Sequence, residues 1–70
     1  MKHINFEDLY RLCNEKNWFT RGSNSQYSDM FDMAKDLEAF TIRDLSMVIW
    51  ICSEGFSPND IQSQLEPLVR

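Results

Sequence analysis

The chain has 70 residues, with 11 Asp and Glu against 7 Lys and Arg, and a net charge of −4. Hydrophobic residues make up 43% and aromatic residues 13%, with only two each of Gly, Pro and Cys. This composition leaves room for one domain, residues 1–70, and is too apolar for disorder. It has too few cysteines for a disulfide scaffold, too little chain for a deep multi-residue active site, and too acidic a balance for nonspecific nucleic-acid binding.

Hydrophobic spacing predicts helices throughout. The first begins after Asn5, a good N-cap, and runs to about Lys16. Phe6, Leu9, Tyr10, Leu12 and Cys13 share one face, and Glu7, Asp8, Arg11, Asn14 and Glu15 the other. Glu7 and Asp8 suit the positive end of the helix dipole, and Lys16 suits the negative end.

A connection follows, Asn17-Trp18-Phe19-Thr20-Arg21-Gly22. Two large aromatic residues in a connection are unusual. Either Trp18 and Phe19 cap the small core, or they stand beside Arg21 as an anchor for a partner, since Trp, Tyr and Arg dominate interface hot spots.

The second helix begins near Ser23 or Ser25, with Ser23 and Gln26 spaced as a capping box. Tyr27, Met30, Phe31, Met33, Ala34 and Leu37 cover one broad face. Asp29, Asp32 and Asp36 fall together on the opposite one, within an arc of about 60°. Glu38 lies close by, and Lys35 interrupts the charge. Regularly spaced carboxylates of this kind either form an ordinary solvated face or imitate DNA phosphates in the basic groove of a nucleic-acid-binding protein.

Thr41, with Asp44 three residues on, starts the third and most apolar helix. Ile42, Leu45, Val48, Ile49 and Cys52 make one face, while Met47, Trp50 and Ile51 occupy most of the other. A helix apolar nearly all round is a buried, central one, or one that a second copy of the chain covers. Gly55 suits a left-handed helix stop. Ser57-Pro58-Asn59-Asp60 opens the fourth helix, with Ile61, Leu65 and Leu68 inward and Pro67 blocking continuation past Glu66. The expected fold is all-α, a compact bundle of about four short helices around a buried third.

Glu7, Asp8 and Arg11 interrupt any signal-peptide stretch, and no lipidation pattern is present. The run Met47–Cys52 is far short of the roughly 20 apolar residues of a membrane helix. A cytoplasmic protein with Cys13 and Cys52 as free thiols is expected.

Catalytic and metal chemistry find little to work with. His3 is the single histidine and lies in a segment expected to fray, which makes it a poor general base. No closely spaced Cys or His pair suggests zinc, and Gly22 and Gly55 cannot build a phosphate loop. No cofactor, metal or enzymatic role is expected. Residues 41–66 outline a helix-turn-helix, and a dimeric DNA-binding regulator is the alternative reading. The second of those helices offers Asn59, Gln62 and Gln64 but also Asp60 and Glu66, with no Lys or Arg before Arg70.

The stretches Asn17–Tyr27 (N-W-F-T-x-G-x-N-x-Q-Y) and Asp44–Ser53 (D-L-x-x-V-I-W-x-C-S) resemble small uncharacterised proteins of bacteria and their mobile elements. The two cover about half the chain and carry over no functional residues. The resemblance implies a setting, in which short acidic proteins of phages and conjugative elements bind a host defence protein, as anti-CRISPR proteins do. The expected function is a non-enzymatic module that binds a larger protein, such as a host nucleic-acid-binding or defence protein. Its candidate surfaces are Asp29, Asp32, Asp36 and Glu38, and the loop carrying Trp18, Phe19 and Arg21.

Overall fold

Helix α1 (Phe6–Lys16) starts where its donors find an acceptor. The Asn5 side-chain oxygen accepts from Glu7 N–H at 2.9 Å and from Asp8 N–H at 3.3 Å. The helix ends at Asn17, whose φ of 54° is left-handed, a conformation that asparagine tolerates better than most residues. Asn17 N–H then reaches the Asn14 carbonyl at 3.3 Å, and Trp18 N–H the Cys13 carbonyl at 3.0 Å. This pair of bonds is the Schellman stop, in which the second residue past the helix folds back over its last turn. Here that residue is Trp18, and it enters the core. The computed structural model describes all residues, 1–70.

Helix α2 (Asn24–Lys35) opens with the expected capping box: Ser23 Oγ accepts from Gln26 N–H, and Gln26 Oε1 accepts from Ser23 N–H at 2.8 Å. It stops one residue short of Asp36, which leaves helical geometry. Helix α3 (Ile42–Ile51) has a second such box between Thr41 and Asp44. It ends four residues before Gly55. That glycine does take a positive φ, 78°, but in the turn toward the next helix rather than as the stop of α3. Helix α4 (Pro58–Leu65) is capped by Ser57 with Pro58 in the first turn, and a 3-10 turn at Glu66–Leu68 accommodates Pro67.

Helix α3 packs against both α2 and α4, and α1 lies against α2. Leu9, Trp18, Met30, Leu45, Ile49, Ile61 and Leu65 are fully buried in one continuous core. Phe56 packs edge-on against Trp18, with ring centroids 6.2 Å apart. The central helix is not buried all round, however. Trp50 is 41% and Ile51 59% exposed. A chain of this size buries only about 60% of its unfolded surface, too little to enclose one helix on every side.

The opening residues are tied down, contrary to the expected fraying. Ile4 forms an antiparallel bridge with Val69, and His3 and Arg70 exchange backbone hydrogen bonds at 3.0 and 2.8 Å. Ile4 N–H also donates to the Ala34 carbonyl at 2.8 Å, and Leu37 N–H to the Lys2 carbonyl at 3.0 Å. Ala34 is in the last turn of α2, where carbonyls have no partner within the helix. The extended segment supplies one.

Candidate protein-binding face

The fold separates the residues that the sequence singled out. Trp18 is fully buried and cannot touch a partner, which corrects its candidacy as an anchor. The Schellman stop at Asn17 decided its direction, and the core accepted the indole even though its Nε1–H has no acceptor there. Phe19 is half-buried, its ring 4.1 Å from that of Tyr27 and tilted by 32°. It fills the space beside Gly22, where any Cβ would run into the ring. Arg21 is exposed but engaged: its guanidinium pairs with Glu54, and its N–H donates to the Cys52 carbonyl at 3.0 Å. The loop is thus strapped to the end of α3.

The acidic residues divide in two. Asp29 and Asp32 on α2, and Glu38 just beyond it, are exposed. The ion pairs of the molecule are Asp8 with Arg11 and Arg70, and Arg21 with Glu54. None of them neutralises Asp29, Asp32 or Glu38. Asp36 does different work. It is partly buried, and its Oδ1 accepts from Glu38 N–H at 3.2 Å and Ala39 N–H at 3.1 Å, forming the turn after α2. Its carboxylate is a structural cap as well as a charge.

Sequence reasoning missed a row of aromatic rings across α1 and α2. Phe19 meets Tyr27, Tyr27 lies 6.0 Å from Phe31, Phe31 lies 3.9 Å from Phe6, and Phe6 stacks near Tyr10 at 6.2 Å. Phe6 and Tyr10 were expected to point inward, yet they are 50% and 46% exposed. The signal was present in the spacing. Phe6 and Tyr10 form one i, i+4 row, and Leu9 and Cys13 form another about 60° round the helix. A helix with neighbours on one side buries one row and leaves the other at the edge.

For the alternative DNA reading, the polar side chains of α4 matter. Arg43 donates to Asn59 Oδ1 at 2.6 Å and to Gln62 Oε1 at 3.3 Å. The single cation beyond α4, Arg70, faces Asp8 at 3.5 Å. Asn59, Gln62 and Arg70, which would read bases or phosphates, already have partners within the chain, which weighs against that reading. No three of the His, Cys, Asp and Glu side chains converge as a metal site would need. No helix is long and apolar enough to cross a membrane.

Comparison with protein families, with curated proteins and with solved structures returns no significant match.

The two thiols are free and buried. Cys13 lies 3.9 Å from the Met30 sulfur, and burial, with a smaller contribution from Cys52, pushes its pKa from an ordinary 9.0 up to about 12. Burial raises Cys52 as well. An unfolded chain loses the Cys13 proton near pH 9 while the folded chain keeps it until about 12. The folded state then holds more protons, so this contribution to stability is whole below pH 9 and falls as pH rises toward 12. Two results are expected: a urea midpoint that drops across that alkaline window, and thiols that react with a disulfide reagent at pH 8 only after denaturant is added.

Proposed function

We propose that the chain is a non-enzymatic, all-helical binding protein that occupies a basic surface on a larger protein. One observation carries this reading: Asp29, Asp32 and Glu38 stand exposed and without a cation of their own, in a chain of net charge −4. Carboxylates left unneutralised steer a basic partner toward them, and the association weakens as salt screens them. The resemblance to small proteins of bacteria and their mobile elements supports a host defence or nucleic-acid-binding protein as that partner, in the manner of an anti-CRISPR protein.

The test is charge reversal. Asp29→Lys, Asp32→Lys and Glu38→Lys are combined, and Asp36 is left alone because its reversal would remove a cap. The tagged chain is expected to capture a nucleic-acid-binding protein or nuclease from a bacterial lysate at low salt and lose it at high salt. The triple variant should bind that protein at least about a hundredfold more weakly, with its urea midpoint almost unchanged, as surface substitutions shift stability by only about 0.5 kcal/mol. Unchanged affinity would remove the acidic face from the function. Salt-sensitive retention of the chain on duplex DNA would return the function to residues 41–66.

A further inference from the structure

The outer side of α1 carries a shallow groove lined by Phe6, Glu7, Tyr10, Arg11, Asn14 and Glu15. Its apolar part is held in place from below. The Phe6 ring rests on Phe31, centroid to centroid 3.9 Å, and lies within 13° of parallel to Tyr10. About half of each of these two side chains faces solvent: 50% of Phe6 and 46% of Tyr10. Its charged part is unbalanced. Arg11 faces Asp8 at 3.8 Å, whereas Glu7 and Glu15 belong to no ion pair.

Aromatic rings beside unpaired carboxylates suit one side chain above others. A guanidinium stacks on an aromatic ring while donating two parallel hydrogen bonds to a carboxylate. A lysine ammonium is a more strongly hydrated point charge without the flat face. We propose that this groove docks an arginine side chain from an exposed segment of the partner protein. The proposal rests on the reading that the partner is basic, and adds a second point of contact on α1 to the carboxylates of α2. A second copy of this chain is a poor occupant, because each of its arginines is already engaged: Arg11 and Arg70 by Asp8, Arg21 by Glu54, and Arg43 by Asn59 and Gln62.

The probe is a short capped peptide of alternating Arg and Gly, titrated into the isotope-labelled chain at low salt and followed by amide chemical shifts. The same peptide with Lys for Arg is the control. Shifts are expected along Phe6–Glu15, with the arginine peptide binding about fivefold or more tightly than the lysine one. Tyr10→Ala, and separately Glu7→Gln combined with Glu15→Gln, should each weaken it about tenfold while the remaining amide signals stay in place. Shifts confined to residues 29–38 would overturn the groove and leave the acidic-face reading standing. No shift at all, or equal affinity for both peptides, would also overturn it. A captured partner that is indifferent to the charge reversal of α2 would sink the wider reading without touching the peptide result.

Discussion

Trp18→Ala is expected to remove a large share of the chain's stability, about 3–5 kcal/mol. The indole is the largest fully buried side chain, lying in the same core as Leu9, Met30, Leu45 and Ile49 and packed edge-on against Phe56. Removing a buried aromatic ring of this size costs about 3–5 kcal/mol, because the lost transfer energy is compounded by a cavity. A chain of this length has roughly 3–10 kcal/mol in total, at about 0.05–0.15 kcal/mol per residue. Urea unfolding followed by far-ultraviolet circular dichroism measures the difference. Trp18→Phe makes the comparison sharper. It keeps a ring in the core and removes an N–H that has no acceptor, so it should cost less than about half as much. A wild-type midpoint for the alanine variant would put Trp18 back on the surface, and with it the aromatic anchor that the structure rejects.

The second large effect concerns a residue in the opening segment, next to the His3 that was expected to fray. Ile4→Ala should destabilise by about 2–4 kcal/mol, where a frayed position would give no more than about 0.5. Ile4 is buried among core residues, bridges to Val69, and donates to the last turn of α2. The same extended segment accepts from Leu37, next to the turn that carries Asp36 and Glu38. Loosening it should therefore also blur the acidic face, and partner affinity should fall with stability rather than independently of it. Hydrogen exchange checks the mechanism directly. In the wild type the Ile4 and Leu37 amides should exchange as slowly as core amides, and in the variant they should exchange first. Fast exchange of both amides in the wild type would show that the tie is not made in solution.

These two residues also mark where local sequence stops deciding structure. The caps at Asn5, Ser23, Thr41 and Ser57 were legible because each is completed within three residues of chain. The helices, their order and the inward-facing Leu45, Ile49, Ile61 and Leu65 followed from spacing alone, since a period of 3.6 residues is a local property. So did the exposure of Asp29 and Asp32, which stand opposite the buried Met30 and Ala34 on one helix. Tertiary structure decided the rest. Whether Trp18 turned inward depended on a left-handed Asn17 and on a core with room for the indole. Asp36 became a cap because α2 stopped one residue early. Phe6 and Tyr10 stayed half-exposed, and Trp50 and Ile51 remained outside, because a bundle this small has too few neighbours to cover every apolar row. The pairing of His3 with Arg70 joins the two ends of the chain. No local pattern encodes it, because it exists only once the helices between them have packed.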